Sequence, residues 1–588
     1  MLFSLQRGVI GFALLMSFNI PTAFAQQTNA CAALAKVAMP DTTVTTVEAI
    51  TTGTFKAPGG ALAAGPPGAG PGAGGPPGGA APEASPPGTG PAAGGPRSDN
   101  GPPGAAPGTG GPAGGGGPPG GGPPGGGGPG AGPNGNMTGL PAFCRYAGVI
   151  APQIHFEVWL PLKGWNGRLE GTGGGGLAGS IGYQGLAQGI EAGYVTVATD
   201  AGHSGNGVEW LTNRQQVADY GYRAIHEMTV RARTLIAKLY RQPLKYAYFD
   251  SCSTGGGEAL MEAQRYPGDY DGIVAGAPNY DQTELRAGGH IWTWYALHET
   301  PQSNLSAMQL QLLHNAVMAK CDALDGVKDG IIADPRQCHF DAATLACKAH
   351  QSGESCLNPA QVKAVDKIYA GSHNPRTGQA IWPPYPPGSE LGWAVFSSDS
   401  PFGSASAFYR TAVLHDPSFD FRNFNFDTDV EKAQSGYAAL VDATNPDLRA
   451  FQRRGGKLIL YHGYADSMIS PLASIRYYDS VVDFYGRHGN AGTSALQQVQ
   501  DFARLYLLPG VGHCGNGVGP DQFDHLKLVS DWVERHKAPS DVVASKLSGG
   551  KVTMTRPLCA YPQSAVYKGS GNTRVAASFT CQAMPRGQ

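Results

Sequence analysis

The run Lys245 to Asp250 (KYAYFD) passes without a spacer into Ser251-Cys252-Ser253-Thr254-Gly255-Gly256. Its aromatic and β-prone side chains read as a strand, the small residues as a tight turn, and 257–266 as the helix that follows. A strand that turns straight into a helix belongs to a sheet with helices packed on its faces, and other segments repeat the pattern. Ile154 to Leu162 alternates like a half-buried strand, Gly167 to Gly171 is a short one, Tyr194 to Thr199 reads as more buried, and Ala218 to Leu239 has helical periodicity. Strands alternating with helices predict a largely parallel sheet in an α/β fold. Before them, Thr43 to Thr54 is rich in Val, Ile and Thr and suits a further strand. After Asn279 the pattern turns irregular until about Ala443. Strand character then returns at Lys457 to Tyr461 (KLILY) and Arg504 to Leu508 (RLYLL). The expectation is one large domain in two parts, 26–279 and 445–588, with 280–444 as an insertion.

Two segments stand apart from that domain. Met1 to Ala25 carries Arg7, a mostly apolar stretch too short to span a bilayer, and Ala23-Phe24-Ala25 as a small-x-small cleavage site, the pattern of a secretory signal peptide. Residues 58–135 hold 33 Gly and 21 Pro, and with almost no large apolar side chains they cannot bury enough surface to offset the cost of ordering. Gly does not recur strictly every third residue, which excludes collagen; the segment reads as a flexible or partly polyproline insertion, either a spacer or a surface-binding tether. All ten cysteines follow the cleavage site and no CxxC occurs, so disulfides in a secreted or periplasmic protein are favoured over zinc. A formal charge of −2 without long single-sign runs disfavours nucleic acid as a partner, and no later apolar stretch reaches membrane-span length.

The turn after KYAYFD has the form of a nucleophile elbow with Ser253 at its tip. The elbow wants small residues two before and two after the serine; Gly255 meets the second requirement and Ser251 meets the first approximately. A hydroxyl needs an imidazole to take its proton and a carboxylate to orient that imidazole. Asp466 lies five residues beyond KLILY and His513 five beyond RLYLL, which gives the order Ser, acid, His at successive strand ends. If Ser253 and His513 meet, their neighbours Cys252 and Cys514 come within disulfide reach. Oxyanion donors are expected from the Thr254 N–H and from the run Gly171-Thr172-Gly173-Gly174-Gly175-Gly176, with Gly175 the favoured glycine. His462 has two readings of equal weight, a residue lining the pocket near the reacting centre and a loop histidine bonded to backbone. Asp322, Asp325 and Asp329 place three carboxylates within eight residues, a pattern that fits a hard cation such as calcium or a solvated acidic turn equally well, and not an EF-hand.

These motifs resemble those of the tannase and feruloyl esterase family, which also includes hydrolases of mono(2-hydroxyethyl) terephthalate. The similarity runs from LPAFCR at Leu140 through EVWLP, WNGR, GGGGLAG, CSTGG, CDALDGVKDGI and HGYAD to GHC at Gly512. It implies an α/β-hydrolase fold with a large inserted lid domain, Ser253, Asp466 and His513 as the triad, and a Cys252–Cys514 cystine beside it. It also implies a structural calcium ion on Asp322, Asp325, Asp329 and the carbonyls of Val327 and Ile331. The remaining cystines implied are Cys31–Cys144, Cys321–Cys338, Cys347–Cys356 and Cys559–Cys581. Ser251 stands where the family usually has Gly, and the Gly/Pro insertion has no counterpart in its pattern. Thr254, where terephthalate-type members carry Glu, resembles the tannase and feruloyl type.

The expected function is a secreted serine carboxylesterase acting on a small aromatic ester, of gallate or hydroxycinnamate, through an acyl-enzyme. The alternatives are activity on mono(2-hydroxyethyl) terephthalate, a non-catalytic polymer or surface binder on the same fold, and a peptidase. Trp292, Trp294, Trp393 and Phe396 are the expected aromatic walls of the lid, with plain core as the competing reading.

Overall fold

The computed structural model describes residues 20–58, 136–489 and 492–583, with side chains from Gln27 onward except at Asn136. The signal-peptide expectation falls outside these residues except for Ile20 to Ala25, which open the helix Ile20–Ala33, and the Gly/Pro run falls outside them except for Pro58. Nine strands form the main sheet: β1 (Thr42–Ile50), β2 (Phe143–Ile150), β3 (Ile154–Pro161), β4 (Arg168–Gly171), β5 (Val195–Thr199), β6 (Tyr246–Cys252), β7 (Gly272–Gly276), β8 (Lys457–Gly463) and β9 (Ala503–Leu508). Their spatial order is β1-β2-β3-β5-β4-β6-β7-β8-β9. The pairs from β1 to β5 are antiparallel, and those from β5 through β4 to β9 are parallel. This is the α/β-hydrolase fold that the family resemblance implies.

The crossover in strand order places the site. Because β4 lies between β5 and β6, with Gly171 opposite Phe249, the Gly-rich loop that leaves β4 emerges beside the turn that leaves β6. β8 and β9 pair in parallel in register, Leu460 with Leu505 and Gly463 with Leu508, so the loops carrying Asp466 and His513 leave the sheet at the same edge. Residues 277–456 contribute no strand to this sheet. They pack around two further cores, one in which Trp294, Phe408, Tyr409 and Phe424 meet Trp210, Leu211 and Tyr220 of the preceding chain, the other of Leu313, Val365, Trp393 and Phe396, and belong to the same compact unit as the sheet.

Three expectations shift. β3 is buried on both faces rather than half-buried, with only His155 exposed; Glu157 sits inside because the Arg145 guanidinium, the Trp159 indole N–H and the Tyr183 hydroxyl all donate to its carboxylate. The strand expected over 43–54 ends at Ile50. A separate strand, Thr54–Lys56, pairs with Asn136–Thr138, so the two chain ends that flank the Gly/Pro run are tied by a short ladder. The C-terminal part also carries two hairpins that the sequence reading did not anticipate, Val542–Ser548 with Lys551–Leu558 and Gln563–Tyr567 with Phe579–Ala583. All five expected cystines form, with Cα separations of 5.6 Å (Cys31–Cys144), 5.9 Å (Cys252–Cys514), 5.5 Å (Cys321–Cys338), 4.9 Å (Cys347–Cys356) and 5.5 Å (Cys559–Cys581).

Candidate active site

At the end of β6 the chain turns through Ser253 at φ 66° and ψ −123°, a left-handed conformation that a serine holds only when its surroundings over-determine it. They do so here. The Ser253 N–H donates to the Gly276 carbonyl at 2.9 Å, and the Ser253 carbonyl accepts from Gly257 at 3.1 Å and from Asn279 at 2.9 Å. The helix Thr254–Arg265 starts immediately, three residues earlier than expected, because glycines let its first turn press onto the sheet. A Cβ on Gly255 would lie 1.9 Å from Ser251 Oγ, and one on Gly256 would lie 2.3 Å from the Gly276 carbonyl oxygen. Ser251 is accommodated in the elbow because its hydroxyl fills the space that Gly255 leaves.

Three distant segments meet at this turn. Ser253 Oγ lies 2.9 Å from His513 Nε2, and His513 Nδ1 lies 2.7 Å from Asp466 Oδ2. A carboxylate only accepts, so Nδ1 carries the proton and Nε2 is left with the lone pair that faces the serine hydroxyl. Asp466 is fully buried. Its Oδ1 accepts the N–H of Met468 at 2.7 Å and of Ile469 at 3.0 Å. Burial alone would raise this carboxyl, but the electrostatic attraction of the His513 ring and the hydrogen bonds from His462 and His513 outweigh it and hold Asp466 well below the usual carboxylate range.

His462 does not line a pocket, contrary to the first of its two readings. It is fully buried behind the acid, where its Nε2–H is shared between Asp466 Oδ2 and the Ile469 carbonyl, each at 3.0 Å, and its Nδ1 accepts from Ser474 Oγ at 2.8 Å. It sits four residues before Asp466 on the chain that leaves β8, which folds the ring back under the carboxylate. The aromatic residues expected as lid walls are corrected likewise. Trp294, Trp393 and Phe396 are buried within hydrophobic cores, and Trp292 is half-buried with its indole N–H donating to the Lys367 carbonyl at 3.1 Å.

The inserted segment contributes instead to the acid loop, a role the sequence reading missed. Met468, whose N–H supports Asp466, has its carbonyl bonded by His290 Nε2 at 2.9 Å and by the Tyr385 hydroxyl at 3.1 Å. Burial first, against the Met468 carbonyl, pushes His290 down to about 4, so it acts as a neutral donor. A histidine flanked by glycines and aromatic residues carried no spacing signal that pointed across to residue 468.

On the opposite side of the elbow, the Gly-rich loop is fastened to the helix. The Gly255 N–H donates to the Gly174 carbonyl at 2.9 Å, and Thr254 Oγ1 donates to the Gly176 carbonyl at 2.7 Å, which also accepts the Tyr220 hydroxyl at 3.0 Å. Gly175 therefore sits between two carbonyls anchored to Thr254 and Gly255. The acidic run lies in the inserted segment. Asp322 Oδ1 accepts the N–H groups of Asp329, Gly330 and Ile331, Asp325 accepts from Val327, and Asp329 pairs with Arg556. Burial, opposed by the Val327 N–H and aided by Asp329, pushes Asp325 up to about 6. Among the described residues no three acidic, histidine or cysteine side chains converge as a preformed cation cage, and Asp329 Oδ1 is buried without a hydrogen-bond partner.

Comparison with known proteins decides the family. The family described as tannase and feruloyl esterase matches residues 136–582. The chain belongs to the tannase and feruloyl esterase family. Members of this family are carboxylic ester hydrolases. The chain is 36% identical over 498 residues to an uncharacterized esterase of Xanthomonas campestris pv. campestris, covering 77% of this chain and 86% of that one. It is 34% identical over 533 residues to the mono(2-hydroxyethyl) terephthalate hydrolase of Piscinibacter sakaiensis, covering 76% and 86%. The crystal structure of feruloyl esterase B from Aspergillus oryzae superposes with a TM-score of 0.75 at 28% identity, covering 95% of this chain and all of the other. Among the described residues no helix is long and apolar enough to cross a membrane.

Proposed function

We propose that the protein is an exported serine carboxylesterase that cleaves esters of aromatic acids of the gallate or hydroxycinnamate type through an acyl-enzyme. The observation that carries this reading is the hydrogen-bonded line from Ser253 Oγ through His513 to Asp466, at 2.9 and 2.7 Å. His513 Nε2 takes the Ser253 proton as Oγ bonds to the ester carbonyl carbon, and the carbonyl electron pair moves onto oxygen. The N–H of Thr254, at the open N-terminus of the elbow helix, and the N–H of Gly175 receive that oxyanion. Collapse breaks the ester C–O bond, and the imidazolium proton goes to the departing alcohol. Water, deprotonated by the same imidazole, then attacks the acyl carbon, the C–Oγ bond breaks to release the acid, and the imidazolium proton returns to Ser253 Oγ. Asp466 keeps the imidazole in its productive tautomer throughout. The inserted segment acts as a lid whose His290 and Tyr385 brace the acid loop. Export agrees with five cystines, which persist in oxidising compartments.

Covalent labelling with a fluorophosphonate and a panel of methyl gallate, methyl ferulate and mono(2-hydroxyethyl) terephthalate test the reading. Labelling is expected at Ser253 alone, with a gallate or ferulate ester showing the highest kcat/KM. The Piscinibacter relative supports terephthalate monoesters as the second reading, which a reversed ranking establishes. Failure of every ester overturns both.

Calcium belongs to the same proposal. Asp329 pairs with Arg556, whose charge also acts on Asp325, and the buried Asp329 Oδ1 has no hydrogen-bond partner among the described residues, an oxygen that a hard cation would satisfy. Asp322, Asp325 and Asp329 with the carbonyls of Val327 and Ile331 would hold the ion, which supplies charge neutralisation to the fold and no step of the chemistry. EGTA is expected to lower the melting temperature by about 5 °C, and calcium but not magnesium to restore it. A melting curve unchanged by EGTA excludes a tightly held structural ion.

A further inference from the structure

Of the groups that hold the Gly-rich loop on the elbow helix, one is a charged residue type with no place in the triad. Glu258 lies just over one helical turn beyond Thr254, and its Oε2 accepts the Gly174 N–H at 2.9 Å. The contact is close enough to dictate sequence, since a Cβ on Gly173 would fall 2.3 Å from the same oxygen and 2.7 Å from Gly255 Cα. Glu258 is 4% exposed, and its Oε1 is buried with no hydrogen-bond partner among the described residues. An ionised carboxylate with one donor and one orphaned oxygen is costly in a dry site, whereas the neutral acid keeps the Gly174 bond through its carbonyl oxygen.

We propose that Glu258 is a positioning residue for the oxyanion loop, holding Gly174 as an uncharged carboxylic acid so that Gly175 faces the developing oxyanion with no buried negative charge beside it. The inference rests on the serine-esterase reading and deepens it. The loop bonds at Gly174 N–H, Gly174 carbonyl and Gly176 carbonyl all run to Glu258, Gly255, Thr254 and Tyr220, so the carboxyl sets one of the few points that fix the Gly175 peptide. Burial, against the pull of the Gly174 N–H, places Glu258 at about 7. The ionisable groups that interact with it are Tyr220, across from the elbow helix, and Glu262, one turn further along that helix; burial pushes both upward. Arg286 of the inserted segment lies against Tyr220 and donates to Gln282, not to Glu258. As pH rises past about 7, the carboxyl gains a charge that opposes the oxyanion formed one turn away.

The test compares wild type, Glu258→Gln and Glu258→Ala on the best ester of the panel, with kcat and KM measured across pH. The Gln variant, which keeps the acceptor and cannot ionise, is expected to match wild type below about pH 7 and to exceed it by a growing factor above. The Ala variant is expected to lose about tenfold or more in kcat at every pH, with KM changed by less than about twofold. A wild type to Gln ratio that stays constant with pH overturns the charge argument, and an Ala variant with undiminished kcat overturns the positioning role. Should the Ala variant fail to fold, the Gln profile alone decides. Turnover surviving in Ser253→Ala would instead sink the esterase mechanism itself; an inactive Ser253→Ala beside a Gln variant that tracks wild type sinks only the role given to Glu258.

Discussion

Ser253→Ala is expected to lower kcat on methyl gallate or methyl ferulate by about 10⁵-fold or more while the protein stays folded. The rate loss follows because no other hydroxyl occupies the point where His513 Nε2 presents its lone pair, 2.9 Å from Ser253 Oγ. The fold survives because among the described residues that hydrogen bond is the one the Ser253 side chain makes, and losing a single such bond costs about 1 kcal/mol. Alanine meets the same backbone strain at φ 66°, so the melting temperature should move little. Ser253→Gly provides the complementary measurement. It is equally inactive, but glycine occupies a left-handed conformation freely, and relief of strain should make it about 1 kcal/mol more stable than the alanine variant. An active alanine variant, measured with the labelling experiment as control, would remove Ser253 from the chemistry.

The elements that carry this site were legible where one residue pattern had one physical meaning. β6, β8 and β9 are short apolar runs bounded by turns, and the strand ends alone put Ser253, Asp466 and His513 at one edge. Cys252 and Cys514 were readable as partners because their neighbours had to meet. The helix start at Thr254 was not legible, since Gly255, Gly256 and Gly257 have poor helix propensity and are chosen for close approach to Ser251, Gly276 and Asn279, contacts that exist only in the folded chain. His462 misled for a related reason. A polar residue next to an acid at a strand end reads as part of a pocket wall, but whether its ring points outward or folds under the carboxylate depends on Ser474 and the Ile469 carbonyl, which come from the next helix and turn. The bracing of Met468 by His290 and Tyr385 is invisible in one dimension, because it joins residues more than eighty positions apart. Glu258 left the weakest trace of all, one acid among small residues. Its position five after the serine gains meaning only once the Gly-rich loop is seen to lie on that helix.

Asp466→Asn is expected to lower kcat by about 10⁴-fold with KM little changed. The asparagine carbonyl can still receive the Met468 and Ile469 N–H groups that bond Oδ1, which forces its NH₂ into the place of Oδ2. There it meets two N–H donors, His513 Nδ1 and His462 Nε2, where the carboxylate had been an acceptor for both. To avoid donor facing donor, His513 moves its proton to Nε2, and the lone pair that Ser253 needs is gone. The variant also separates catalysis from acid stability. The folded-state value of Asp466 is depressed below 3.8, so its stabilising contribution is present above the ordinary carboxylate range and is lost as pH falls through 3.8 toward the folded value. Wild type should therefore lose melting temperature more steeply than the asparagine variant as pH drops from about 5 to about 3. Equal slopes would mean that the buried carboxylate is not held ionised, and a variant with near wild-type kcat would mean that His513 does not depend on Asp466 for its tautomer.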